Sequence, residues 1–177
     1  MKLVVTQFVT LDGVTESPHE WSFPYSNEEI ESFKNAELAA TGALLLGRVT
    51  YDGFAAAWPG RAGDPFADKF NSLKKYAVSK TLRDPSWNNT SVISENVAGE
   101  IAKLKKQPGR DLVVHGSMTL VKALMENDLV DEYRLLIYPI VLGKGLRCFK
   151  DGASAKLKLK EEKRYGEVVL ATYEPAR

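Results

Sequence analysis

The stretch ALLLGRVTYDGFAAAW, residues 43–58, carries the reading that decides the fold. Ala43 to Leu46 is wholly apolar and too short for a helix, Gly47 closes it, and Thr50 to Trp58 then has the composition of a helix. A strand buried on both faces shows this kind of unbroken run, so the segment reads as a strand feeding a helix through Gly47-Arg48. The same grammar returns at Asp111–His115, a Leu-Val-Val strand followed by Gly116 and by a helix over Ser117–Asn127 that carries Leu120 and Leu124 on one face.

Around these two units, Lys2–Val9 reads as a strand ended by Asp12-Gly13, and Lys75–Val78 and Ser91–Ser94 as short strands. Glu132–Val141 reads as a longer strand. Helices are predicted over Ser26–Leu38, Phe66–Leu73 and Val97–Lys106. Ser26 is a good N-cap for the first of these, with Glu29 three residues on to complete a capping box. Lys156–Tyr173 reads as a hairpin turned at Tyr165-Gly166. Strands alternating with helices and closed by an antiparallel hairpin predict an α/β fold, with a mixed, mostly parallel sheet covered by helices on both faces.

At 177 residues the chain is expected to form a single domain over 1–177, large enough to need no disulfide or metal staple. Apolar residues make up 44% and charged residues 27%, which excludes disordered and collagenous chains. The formal net charge of +1 provides no field for nucleic acid or for an acidic membrane, and no stretch approaches a membrane span. The one cysteine, Cys148, and two histidines predict no metal site and suit a reducing cytoplasm.

Hydrolytic and phosphate-loop motifs are missing. What remains is a set of strand ends where glycine and hydrogen-bonding residues come together: Gly47, Arg48 and Thr50; Ser79, Lys80 and Thr81; Gly116 and Ser117. In an open sheet, ligands lie beyond the carboxyl ends of parallel strands, where loop amides and helix N-termini face an anion. Several such ends together suit a dinucleotide phosphate. Each also has a plainer reading, Ser117 as a helix N-cap and Gly47 as a turn glycine. Gly143-Lys144-Gly145 reads as a tight turn, and Lys156, Lys158 and Lys160 as the wet face of an edge strand.

Taken in order, Asp12-Gly13, Trp21 to Pro24, Phe33-Lys34 and LLLGRVTY at 44–51 resemble the dihydrofolate reductase fold. VSKTL at 78–82, VVHGSMTL at 113–120 and LVDEYRLLIYPIVLGKG at 129–145 resemble more closely the reductase half of the riboflavin-pathway deaminase-reductase. The deaminase half, whose zinc site needs several cysteines, has no counterpart here. The resemblance implies a stand-alone, NADPH-dependent reductase acting on a small heteroaromatic or imine substrate. It implies cofactor contacts by Gly47, Arg48, Thr50, Ser79, Lys80, Gly116, Ser117 and Leu120, with Thr6, Asp12, Gly13 and Val14 forming the wall beside the nicotinamide.

For proton delivery the resemblance points to a carboxylate on the helix after Trp21–Pro24. Counting back from Phe33 selects Glu29, whereas counting forward from Pro24 selects Ser26, and Asp12 is the other carboxylate on that side. Both have plainer readings, Glu29 in its capping box and Asp12 as a turn residue. A homodimer is expected from the apolar run LLIYPIVLG and the carboxyl hairpin. A cofactor-binding sensor without turnover is the alternative function.

Overall fold

The structure is a computed structural model that describes residues 1–176. Its strands are β1 (Leu3–Thr10), β2 (Thr41–Gly47), β3 (Lys74–Val78), β4 (Thr90–Ile93), β5 (Asp111–Val114), β6 (Glu132–Tyr138), β7 (Leu157–Tyr165) and β8 (Val168–Pro175). They form one eight-stranded sheet in the order β4-β3-β2-β5-β1-β6-β8-β7. The first six are parallel, and β8 runs antiparallel between β6 and β7. The helices are α1 (Pro18–Trp21), α2 (Glu28–Ala40), α3 (Arg48–Ala57), α4 (Pro65–Ser72), α5 (Val97–Lys106) and α6 (Met118–Glu126).

The two-residue period of the strands explains both layers of helices. Leu3, Val5, Leu45, Leu112 and Val114 point to one face and meet Ile101 and Leu104 of α5 and Leu120 and Leu124 of α6. Val4, Leu44, Leu46 and Val113 point to the other face, against Tyr51 of α3 and Phe70 of α4. Because both faces are covered, these strands read as continuous apolar runs rather than as alternating ones. A third cluster lies under α2, where Ile30 and Trp21 cover Leu136, Tyr138, Val168 and Leu170 of the β6–β8 pair.

Two predicted boundaries are corrected. The residue that caps α2 is Asn27, whose side chain accepts the Ile30 N–H at 3.0 Å, so Ser26 lies outside the helix and Glu29 belongs to no capping box. The strand expected to run to Val141 ends at Tyr138, before Pro139 and an exposed loop. Short α1 has Pro18 at its first position.

Candidate functional site

The parallel arrangement brings the carboxyl ends of β1, β2, β3 and β5 to one edge of the sheet. There the exits of β2 and β5 touch: the Gly47 N–H donates to the Gly116 carbonyl at 2.9 Å. A Cβ on Gly47 would lie 2.3 Å from Ser117 Oγ, and one on Gly116, whose φ is +134°, would lie 2.8 Å from Thr50 Oγ1. Only glycine fits at either place. The contact sets the N-termini of α3 and α6 side by side. Among the described residues neither helix has a side-chain cap, since Ser117 occupies the N-cap position of α6 but its hydroxyl makes no capping bond. Unspent N–H groups at two adjacent helix starts favour an anion.

Arg48 donates to Asp52 at 2.7 Å and to Thr81 Oγ1 at 3.3 Å, which ties the β2 exit to the β3 exit. Ser79 Oγ accepts the Thr81 and Leu82 N–H groups and shapes that turn, leaving Lys80 exposed. Leu120 packs into the core beneath α6, so it can offer a cofactor only its backbone. Thr6 lies on the Val4–Phe8 face of β1, 2% exposed, and its Oγ1 has no partner among the described residues. Two uncapped helix starts, a glycine-lined approach and two cations fit a dinucleotide's phosphates, and the orphaned Thr6 hydroxyl leaves a donor for another part of the same ligand.

Asp12 lies in the turn after β1. Its carboxylate accepts from Thr10 Oγ1 at 2.6 Å, from the Gly143 N–H at 2.8 Å and from the Leu142 N–H at 3.2 Å. The Thr10 bond, with those from Gly143 and Leu142, holds its carboxyl down at about 2. Gly13, at φ +87°, accepts the Cys148 N–H through its carbonyl, and Val14 bridges to Arg147. The turn after β1 is thereby fastened to the loop after β6. Gly143 and Gly145 both have positive φ there, as a tight turn requires.

Beside this edge is a cleft of about 410 Å³ lined by Phe8, Ile30, Glu31, Lys34, Phe66 and Tyr138, among others. Phe8 makes an aromatic floor backed by the buried Tyr138, with ring centroids 5.3 Å apart. Burial pushes the Tyr138 phenol up to about 12, so the floor is neutral. Ile30 and Lys34, one helical turn apart, present the cleft face of α2. Glu29 is exposed and does not line the cleft, whereas Glu31 does. Phe33, the residue from which Glu29 was counted, packs toward the hairpin, its ring 6.0 Å from Tyr165.

Lys34 pairs with Glu37, which reaches Arg134 at 3.4 Å, and Arg134 reaches Glu132 at 2.8 Å and Asp111 at 3.4 Å. Burial works against the Glu132 carboxyl, but hydrogen bonds from Lys2, Lys160 and Arg134 outweigh it and hold the group at about 2. Burial likewise works against Glu37, and Lys34 and Arg134 keep its carboxyl ionised below the usual range. His115, between Phe54 and Phe70, is pushed down to about 3 by burial, with Lys34 adding to the shift, and is neutral at pH 7.

The protein YyaP of Bacillus subtilis (strain 168), itself uncharacterized, is 32% identical to this chain over 158 residues, which cover 85% of this chain and 81% of YyaP. YwjB of the same strain, also uncharacterized, is 26% identical over 176 residues and 97% of each chain. Among solved structures, dihydrofolate reductase from Enterococcus faecalis complexed with NADP(H) has a TM-score of 0.65 at 16% identity, over 99% of this chain and 97% of its own. The deaminase/5-amino-6-(5-phosphoribosylamino)uracil reductase of Thermotoga maritima has a TM-score of 0.67 at 15% identity, with 99% of this chain matching 56% of that one. At such identities these structures establish a shared fold. The model of the RibD C-terminal domain matches residues 1–171, a range that holds the β1, β2, β3 and β5 exits and every cleft residue named above, so the chain belongs to the RibD C-terminal domain family.

Proposed function

We propose that the protein is an NADPH-dependent reductase that reduces a C=N or equivalent bond in a small heteroaromatic or imine substrate. The observation that carries this reading is the meeting of two uncapped helix starts over Gly47 and Gly116, next to an aromatic-floored cleft. NADPH would supply the hydride, and one proton from solvent or from the chain completes the conversion of C=N to CH–NH. The N–H groups opening α3 and α6, with the Thr50 and Ser117 hydroxyls, would hold the pyrophosphate. Arg48 and Lys80 would face the 2′-phosphate. Thr6, Gly13 and Val14 would border the nicotinamide. Asp12, already ionised and bound to three donors, holds the loop in place. Glu31 takes the place that counting along the sequence gave to Glu29, as the carboxylate able to orient a proton-bearing water in the cleft.

Fluorescence titration should show NADPH bound about ten- to a hundredfold more tightly than NADH, the range of one charge-assisted contact, and the Arg48→Ala/Lys80→Ala double variant should lose that preference. Equal affinities in the unaltered protein count against the assignment. Glu31→Gln should lower kcat about a hundredfold or more with NADPH binding intact, whereas Glu29→Gln should not. NADPH binding with no oxidation by dihydrofolate, a ribosylaminopyrimidine or other imines would favour a sensor without turnover.

A homodimer is also proposed. Leu11, Val141, Leu142 and Leu146 are 68%, 70%, 39% and 55% exposed on two fastened loops, a concentration of apolar surface that suits a second copy. Light scattering at micromolar concentration that returns the 19.6 kDa of one chain would exclude it.

A further inference from the structure

The charged groups of the cleft are arranged by depth. Glu31 and Asp64 lie at its exposed rim, where Glu31 meets Ser26 Oγ at 3.4 Å and Asp64 caps α4. Lys34 lies at the inner wall: its side chain is 19% exposed, and Nζ stands 5.6 Å from the centroid of the Phe8 ring on the floor. Among the described residues the only hydrogen-bond partner of that ammonium is Glu37, whose side chain is 3% exposed. Two of its three N–H donors remain to be satisfied by whatever occupies the cleft. The carboxylate behind it cannot neutralise it fully, because Glu37 is shared with Arg134. Among the described residues, the connected chain of ion pairs has four cations, Lys2, Lys34, Arg134 and Lys160, sharing three carboxylates, Glu37, Asp111 and Glu132. The surplus positive charge has one outlet into the cleft, which is Lys34. His115, which Lys34 also influences, is neutral and adds nothing to that charge.

We infer that Lys34 is a specificity-determining residue that selects a flat heterocycle carrying an anionic oxygen on its inward edge, an enolate, lactam oxyanion or carboxylate, against neutral and cationic rings. The inference rests on the reductase reading for the identity of the cleft as the substrate site. The ring lies on Phe8, which Tyr138 backs from below, its oxygen accepts from Lys34, and any amino substituent points outward to Glu31. A ring that instead presents an amidinium inward meets a like charge in a poorly hydrated position and is rejected.

Three pyrimidines of equal size and different charge test this by calorimetry at pH 7: barbiturate as the anion, uracil as the neutral ring, and 2,4-diaminopyrimidine at its cationic edge. Barbiturate should bind at least about tenfold more tightly than uracil, and 2,4-diaminopyrimidine weakest. Lys34→Gln should level the series, and Lys34→Arg should restore the order. The double variant Lys34→Gln/Glu37→Gln, which leaves no unpaired buried carboxylate, should also be level and keeps the test valid if Lys34→Gln folds poorly. Tightest binding by 2,4-diaminopyrimidine, no binding by any of the three, or an order unchanged in the variants overturns the inference. NADPH titrations on the same samples keep the two readings apart. Loss of the anion preference with NADPH binding intact refutes only the role of Lys34, and anion preference without NADPH binding refutes only the reductase.

Discussion

Asp12 shows how one side chain can hold two loops. Its carboxyl, held at about 2 instead of the ordinary 3.8, contributes stability only while it is ionised. That contribution is therefore complete above about pH 4 and is lost as pH falls through 2. Carbon-detected NMR should find the Asp12 carboxyl still titrating near 2, and Asp12→Asn should speed exchange of the Leu142 and Gly143 amides that donate to it; a titration near 4 would contradict the hydrogen bonds assigned here. Gly47 constrains the site differently, through space alone. A methyl there would sit 2.3 Å from Ser117 Oγ and 2.8 Å from the Ser117 backbone nitrogen, and the second of these cannot rotate away. Gly47→Ala should push the starts of α3 and α6 apart and weaken NADPH binding about tenfold or more in a fluorescence titration. Unchanged affinity would remove the paired helix starts from the cofactor site.

At the level of elements, α2 is the part whose phase matters most. Asn27 caps it and also donates to the Tyr165 carbonyl at 3.3 Å, so one amide joins the helix start to the hairpin turn. Asn27→Ala should cost about 1 kcal/mol in urea unfolding, and Glu29→Gln should stay within about 0.5 kcal/mol. Comparable losses from the two would revive a capping box at Glu29. The strand-glycine-helix units were legible within two residues, because a strand covered on both faces must be a continuous apolar run and the close approach of Gly47 to Ser117 admits no side chain. The phase of α2 was not legible. Ser26 and Asn27 are both good caps, and Phe33 could be buried toward the cleft or toward Tyr165; only the tertiary packing decides, and it turns Ile30 and Lys34 inward. Glu31 and Lys34 were missed for that reason. The ion pairs behind Lys34 could not be read at all, since Glu37 and Arg134 are 97 residues apart.

For the whole molecule, the chain of ion pairs joins α2, β6 and β7 with residues near the starts of β1 and β5 on the sheet edge opposite the cofactor ends. Arg134 is its hub, bonded to Glu37, Asp111 and Glu132. Arg134→Ala should cost about 3–5 kcal/mol, because it strands buried carboxylates, and Arg134→Ala/Glu132→Gln should recover part of the loss. A single-variant loss below about 1 kcal/mol in urea unfolding would show the network to be solvated. The position of β1 bears on how the chain reaches this state. It is synthesised first and lies in the middle of the sheet, with Leu3 beside Leu112 and Val4 beside Glu132. About a hundred further residues must be made before either neighbour exists, so the apolar strand waits unpaired, available to chaperones or to the same strand of another nascent chain. Its eventual pairing closes loops of roughly a hundred residues, which makes assembly of the sheet slow.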